Sequence, residues 1–117
     1  MITLSDLEQF TGSTTLYSYN LLGTKVSITA GVKYLADNAK CYWLIDAILS
    51  YQSEKEVAKV PLQVWELERL PDNTLKLTCR DGEDIVIVTQ DFSYSNFPLP
   101  EVKIYHMNKT LLLPSEY

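Results

Sequence analysis

The fold of this chain is decided by residues 41–52, which read CYWLIDAILSYQ. Apolar side chains recur there at three- and four-residue spacing, which aligns them along one face of an α-helix. The residues of that face are Cys41, Leu44, Ile45, Ile48 and Leu49, widened by Trp43, Ala47 and Tyr51. A helix with so broad an apolar surface must be covered by protein on most sides. We therefore predict that residues 41–52 form the spine of the core.

The order of the elements around this helix predicts the fold class. Helical patterns come first and strand patterns follow, which is typical of an α+β protein. We predict a mainly antiparallel sheet of about five or more strands, with two or three helices packed on one face. A chain of 117 residues is large enough to bury its own core, so residues 1–117 are expected to form a single domain.

Capping residues predict where the first helix begins and ends. Ser5 stands where an N-cap is expected and Glu8 follows three residues later, which is the pattern of a capping box. Gly12 is placed to end that helix. The helical segments 31–39 and 41–52 are either separate or run on as one kinked helix, and the sequence leaves both open.

The hairpin around the loop 71–73 has a register that the sequence predicts. Proline enters a type I turn and asparagine tolerates the left-handed position, which gives a three-residue loop. A loop of that length places apolar residues opposite apolar ones, whereas a shorter loop would place a tryptophan opposite an arginine. The predicted pairs are Leu67 with Leu77, Trp65 with Cys79 and Glu68 with Lys76.

Residues 85–88 read IVIV and follow the turn signal Asp81-Gly82. Four β-branched residues in succession do not alternate with polar ones, as a half-buried strand would. We therefore predict that this strand is covered on both faces or lies in the middle of the sheet.

Composition and charge exclude several classes of protein. The net charge is −5, and residues 61–91 hold seven acids and three bases. Because phosphate contacts dominate binding to nucleic acids and no basic stripe is present, we expect no direct binding to DNA or RNA. No uncharged apolar run approaches the ~20 residues of a membrane span, so no membrane association is expected. The N-terminus lacks the pattern of a secretory signal, and a cytoplasmic location is expected.

Cys41 and Cys79 are far apart in the sequence and occupy apolar positions of their elements. We expect two reduced, buried thiols. The chain shows neither the ligand spacing of a metal site nor a phosphate-binding glycine loop, so no metal and no cofactor is expected.

Asp46 and His106 are the candidates for chemistry. Asp46 lies in the most apolar segment and shares a thin polar edge with Tyr42 and Ser50. Carboxylates held away from water are a feature of many acid–base catalysts. Alternatively, Asp46 faces solvent or accepts a hydrogen bond from a tyrosine or a backbone amide. His106 is the only histidine, and because no nucleophile motif accompanies it, a structural role is the alternative to a pocket near Asp46.

Tyrosines and acids are the other candidate binding features. Tyrosine is enriched at recognition surfaces, although half-buried tyrosines also cover small cores. The acids of residues 61–91 form either a solvated face that protects the sheet or a negative surface that docks a basic partner. The candidate residues are Tyr17 and Tyr19 of the first hairpin, with Tyr42, and the acids Glu66, Glu68, Asp81, Glu83 and Asp84.

Five motifs span nearly the whole chain. They are QFTGS at residues 9–13, GVKYLA at 31–36, YWLID at 42–46, NFPL at 96–99 and the terminal LLLPSEY at 111–117. Together they resemble an uncharacterised family of small bacterial proteins with a domain of unknown function, largely cyanobacterial and partly carried on mobile elements. The resemblance implies one intact domain and brings no assigned activity, cofactor or functional residue.

The favoured hypothesis is a non-enzymatic interaction or accessory protein. It would bind another protein through a sheet edge, the tyrosines or the acidic segment of residues 61–91. One alternative is a small enzyme or ligand-binding domain with a pocket near Asp46 and His106. Another is an acidic inhibitor of a nucleic-acid-binding protein. A homodimer is also open, in which residues 85–88 or 111–113 pair across a symmetry axis.

Overall fold

The computed structural model describes residues 2–11, 15–93 and 96–117, so the predicted helix end at Gly12 lies outside the described residues. The α-helices are α1 (Leu4–Glu8), α2 (Ala30–Ala39), α3 (Tyr42–Ser50) and α4 (Lys55–Ala58), with 3₁₀ turns at Tyr51–Ser53 and Pro114–Glu116. The strands are β1 (Leu16–Leu21), β2 (Thr24–Thr29), β3 (Gln63–Arg69), β4 (Leu75–Arg80), β5 (Val86–Phe92), β6 (Glu101–Met107) and β7 (Thr110–Leu112).

The strands form one sheet in the order β1-β2-β7-β6-β3-β4-β5. Its neighbouring strands are antiparallel except β2 and β7, which are parallel. The prediction of an α+β fold with a mainly antiparallel sheet is therefore confirmed. The described residues contain four α-helices where two or three were predicted, because α4 adds a single turn before Pro61.

Both edges of the sheet contact α3. Tyr19 of β1 bonds to Asp46, and the ring of Trp43 lies 5.3 Å, between centroids, from that of Phe92 in β5. In a flat sheet of seven strands the edges would lie roughly 29 Å apart, far more than the ~10 Å diameter of a helix. The sheet must therefore coil around α3. Residues 41–52 form the predicted spine, and Leu44, Ile45, Ile48 and Leu49 are buried in it.

The hairpin of β3 and β4 has the predicted register. The structure pairs Leu67 with Leu77, Trp65 with Cys79 and Glu68 with Lys76. Asn73 has a φ of 66°, the left-handed conformation expected in the loop. Both cysteines are free and buried, as predicted.

Residues 85–88 lie at an edge of the sheet, so the prediction of a central or doubly covered strand is wrong. Among the described strands, β5 has β4 as its one neighbour, and the side chains of Ile85 and Val86 are 59% and 47% exposed. The register with β4 shifts between Val86 and Val88, which leaves Ile87 as the extra residue of a bulge. A bulge interrupts the alternation of inward- and outward-facing side chains along a strand. The run of four apolar residues is therefore compatible with a strand that packs on the core with one face only.

The helix boundaries differ from the sequence pattern in one place and resolve the open question in another. Thr3, and not Ser5, is the N-cap of α1, and Asp6 completes the capping box. Lys40 has a φ of 53° and ends α2 in the left-handed conformation, so α2 and α3 are separate helices.

The C-terminal residues hold the start of α2. Glu116 is 7% exposed and accepts hydrogen bonds from the Thr29 hydroxyl at 2.6 Å, the Leu113 amide at 3.0 Å and the Gly31 amide at 3.2 Å. A carboxylate is favourable at the N-terminus of a helix, where backbone amides lack partners. The motifs at residues 31–36 and 111–117, distant in sequence, therefore meet in the fold.

Candidate functional site

Asp46 takes part in a contact between α3 and the edge strand β1. Its Oδ1 accepts a hydrogen bond of 2.6 Å from the hydroxyl of Tyr19. The ring of Tyr19 stacks on that of Tyr42, with centroids 5.8 Å apart and planes 17° from parallel. Of the roles open to Asp46, the structure shows the hydrogen bond from a tyrosine.

The contact continues from Tyr42 along α2. The Tyr42 hydroxyl donates to Asp37 at 2.6 Å, and Lys33 forms an ion pair of 2.7 Å with the other oxygen of Asp37. The Lys33 ammonium lies 5.4 Å from the centroid of the Tyr17 ring. Four predicted site residues, Tyr17, Tyr19, Tyr42 and Asp46, thus belong to one cluster, which we call the tyrosine clamp together with Lys33 and Asp37.

The protonation states of the tyrosine clamp suit a structural contact. Burial and the hydrogen bond to Asp46 raise the pKa of Tyr19 to about 12. The hydrogen bond to Asp37 is the main reason that the pKa of Tyr42 is raised, and Lys33 is the main reason that the pKa of Asp37 is lowered. Both hydroxyls donate their protons in hydrogen bonds to carboxylates and stay protonated at neutral pH, so neither tyrosine can act as a base there. The clamp ties β1 to the two helices.

His106 lies on β6, apart from the tyrosine clamp. It faces the helices, opposite Gln63 of β3 and Leu111 of β7. Its Nδ1 is buried and has no hydrogen-bond partner among the described residues, and burial lowers the pKa of the imidazole. No hydrogen bond described in the structure links His106 to Asp46. His106 lines a cavity, and Asp46 is not among the residues that line it.

Of the other tyrosines, Tyr51 covers the core, whereas Tyr105 and Tyr117 lie on the outer side of the sheet. The hydroxyl of Tyr51 donates to Gln90 of β5 at 2.7 Å, and its ring packs on Trp65. Tyr105 and Tyr117 meet edge to face on the outer side of the sheet, where Tyr117 is exposed. Tyr94 lies outside the described residues.

Several acids of residues 61–91 face bases across the outer side of the sheet. Glu66 and Asp84 approach the Arg80 guanidinium at 3.1 and 3.6 Å. Glu68 is opposite Lys76 in the hairpin register. Asp81 is engaged by the loop backbone, because its Oδ1 accepts from the amides of Glu83 and Ile85.

The edge of β5 combines exposed apolar residues with acids. We call residues 81–92, DGEDIVIVTQDF, the β5 edge; they contain four acids and no base. Glu83, Asp84 and Asp91 are exposed, and they flank the exposed Ile85 and Val86. The sequence singled out Asp81, Glu83 and Asp84, but it missed the exposure of Ile85 and Val86, because a run of β-branched residues is typical of a covered strand and the bulge leaves no local signal.

Lys25, Lys109 and Gln63 are three residues of interest that the sequence did not single out. Lys25 and Lys109 line the same cavity as His106, and they come from strands that only the tertiary fold brings together. Gln63 is fully buried in the apolar core, and its alternation with Trp65 was the one available sign of an inward-facing polar residue.

The structure gives two further findings for the part of the chain that it describes. No helix there is both long and apolar enough to cross a membrane. No group of three or more His, Cys, Asp or Glu side chains there is arranged to hold a metal ion.

Burial raises the pKa values of the Cys41 and Cys79 thiols to about 12, so neither is activated as a nucleophile.

The fold and these surfaces define an α+β protein whose mixed sheet coils around a central helix and presents an acidic, apolar edge. The chain belongs to DUF6876, a family of unknown function, whose model matches residues 1–117. No curated protein and no solved structure gives a significant match.

Proposed function

We propose that this protein is a non-enzymatic interaction protein, which binds another protein by accepting an extended segment of that partner along the β5 edge. The observation that carries the proposal is the exposure of Ile85 and Val86, 59% and 47%, at the start of β5, which has β4 as its one neighbour among the described strands. An edge strand presents unpaired backbone groups, and a partner strand can bond to them while its side chains contact the apolar residues.

The charge of the β5 edge supports a basic partner. Residues 81–92 contain no base, and Glu83 and Asp91 are exposed there, whereas Asp84 approaches Arg80 and Asp81 is engaged by the loop backbone. Lysine or arginine flanking an apolar stretch would complement the exposed acids. A second copy of the chain is the alternative occupant. Antiparallel pairing of two β5 strands would bring the exposed acids near both ends of β5, Glu83 and Asp91, close to those of the other copy, where like charges repel.

The other hypotheses find less support in the geometry. The tyrosine clamp is closed by internal hydrogen bonds, which does not favour an acid–base site at Asp46. An acidic inhibitor of a nucleic-acid-binding protein is a special case of the proposal, in which the basic segment belongs to a nucleic-acid-binding surface. We infer that the protein is bacterial, from the resemblance described above, and that it acts in the cytoplasm, as the sequence pattern predicts.

Selection from a random peptide library displayed on phage, with the full chain as bait, tests the proposal. We expect enriched peptides to carry alternating apolar residues flanked by lysine or arginine, because these match the β5 edge. They should bind the wild type and lose binding to Val86→Lys, which places a positive charge on the docking surface.

Leu22→Lys is the matched control, because Leu22 is 98% exposed in the turn at the opposite edge of the sheet. This variant should keep the affinity of the wild type. Edge bulges and acids also serve to prevent strand pairing. Peptides without basic excess, or peptides that bind Val86→Lys as tightly as Leu22→Lys, would show that the β5 edge is protected and not a docking surface.

A further inference from the structure

A cavity of about 360 Å³ lies where two turns of the sheet meet the end of the central helix. Residues 23–25 belong to the β1–β2 hairpin, while His106 and Lys109 belong to β6 and the turn after it. Leu49 and Gln52 line it from the helical side. Small-molecule sites in proteins begin at roughly 300 Å³, so the cavity can hold a small ligand.

The lining of the cavity is basic in a chain whose net charge is −5. Lys25, Lys109 and His106 are its ionisable residues, and it contains no acid. Within the described part of the chain neither lysine forms an ion pair, whereas Lys33 and Lys59 each bind a carboxylate within their own helix region. A second cavity, of about 340 Å³, is also lined by Lys25 and Lys109.

The polar residues beside His106 are bonded to one another and leave its Nδ1 free. Gln63, opposite His106 on β3, donates to Gln52 and to the Val57 carbonyl, and its Oε1 accepts from Gln52 and from the indole of Trp65. These bonds fix the wall of the cavity. The buried His106 Nδ1 has no partner among the described residues, although buried polar atoms in native structures nearly always have one.

We propose that this cavity binds the phosphate group of a small molecule, with Lys25 and Lys109 supplying charge and His106 donating a hydrogen bond. Two ammonium groups balance the charge of about −2 that a phosphate monoester carries at neutral pH, whereas a carboxylate carries one charge. A neutral imidazole carries one N–H, and in the tautomer protonated at Nδ1 the unpartnered nitrogen donates to a phosphate oxygen. The cavity exceeds the size of a phosphate ion, which leaves room for a small organic group.

NMR titration of the full chain with inorganic phosphate tests the proposal. His106 is the only histidine, so its imidazole Hε1 resonance reports on the cavity without ambiguity. We expect this resonance to shift saturably with phosphate at constant ionic strength and pH. Removing either lysine should weaken binding about tenfold, because each lysine contributes a charge-assisted hydrogen bond.

The variants are Lys25→Met and Lys109→Met, with Lys103→Met as the control that removes one charge from the exposed outer side of β6. The control should bind phosphate like the wild type. A shift that does not saturate, that Lys103→Met weakens as much, or that acetate reproduces at equal concentration would overturn the proposal. The cavity is separate from the β5 edge, so Val86→Lys should leave phosphate binding unchanged whichever result the peptide selection gives.

Discussion

Glu116 accepts three hydrogen bonds that its local sequence does not indicate. A lone acid near the end of a chain is ordinarily solvated, and the motif LLLPSEY contains no sign of its partners. Only the tertiary fold brings Glu116 to Thr29 and Gly31, which lie 87 and 85 positions earlier. The sequence alone could not predict what holds the C-terminal residues.

Glu116→Ala should lower the free energy of unfolding by about 2–4 kcal/mol, because three buried donors lose their acceptor. Urea denaturation of the purified chain measures this change. Glu8→Ala is the control, since Glu8 is exposed on α1 and its loss should change stability by less than about 0.5 kcal/mol. Equal effects of the two substitutions would contradict the role assigned to Glu116.

Gly31→Ala should destabilise the protein by about 1–3 kcal/mol, although alanine is by itself the better helix former. A Cβ at position 31 would lie 2.5 Å from Glu116 Oε1 and 2.7 Å from Leu113 Cδ1. Thermal unfolding compares this variant with Gly82→Ala, whose Cβ would meet its nearest neighbour, in Leu62, at 3.7 Å. If Gly31→Ala proves as stable as Gly82→Ala, the close packing of Glu116 on α2 is wrong.

The imidazole of His106 should titrate below its ordinary pKa of 6.5, because burial disfavours the charged form. Leu49 and Gln52 from the helical side and Gln63 and Leu111 from the neighbouring strands lie beside it, Lys25 and Lys109 line the same cavity, and none of these is an acid. As the pH falls below 6.5, the unfolded chain takes up this proton first, so the free energy of unfolding decreases until the folded imidazole is also protonated.

NMR titration of the His106 resonance in phosphate-free buffer measures that pKa directly. A midpoint at or above 6.5 would contradict the burial of the imidazole. In urea denaturation, His106→Gln should lose the part of the pH dependence between pH 7 and 5 that belongs to this residue.

At the scale of elements, the tyrosine clamp holds the edge strand β1 to the helices. Tyr19→Phe removes the hydroxyl that bonds to Asp46, and we expect a loss of about 1–2 kcal/mol. Amide hydrogen exchange should show faster opening of β1, with β5 unchanged. Tyr17→Phe keeps the ring beneath Lys33 and serves as the control. Equal exchange in the two variants would show that the hydroxyl of Tyr19 does not hold the strand.

The sequence predicts a helix or strand correctly where its local pattern is compatible with only one structure. The β3–β4 register followed from a turn of defined length and from apolar side chains that must share a face. The run at residues 85–88 has two meanings, because a central strand and a bulged edge strand both break the alternation of apolar and polar residues. The end of α2 was ambiguous for a similar reason, since Lys40 adopts a left-handed φ without being glycine.

The residues of the candidate site were also predictable only in part. The sequence identified Tyr17, Tyr19, Tyr42 and Asp46 separately, and the structure unites them in the tyrosine clamp. His106 was identified as well, but its neighbours Lys25 and Lys109 come from elements whose contact depends on the parallel pairing of β2 and β7. A parallel pair has no connecting turn, so no local signal predicts it.

At the scale of the whole molecule, both edges of the coiled sheet contact the helical side, and they differ in which residues they leave exposed. The edge at β1 is tied down by the tyrosine clamp, while the β5 edge keeps Ile85 and Val86 exposed among acids. The segment 111–113, the second route considered for a homodimer, is unavailable for pairing because β7 lies between β2 and β6. The β5 edge is therefore the surface on which the proposed function depends.

Site-specific photocrosslinking in the native host tests this account most directly. Val86 is replaced by p-benzoylphenylalanine, with Leu22 replaced in a parallel strain, and adducts are mapped by mass spectrometry. We predict that position 86, and not position 22, crosslinks to another protein within an apolar segment flanked by lysine or arginine. No adduct at position 86 above that at position 22, or an adduct with a second copy of this chain, would contradict it.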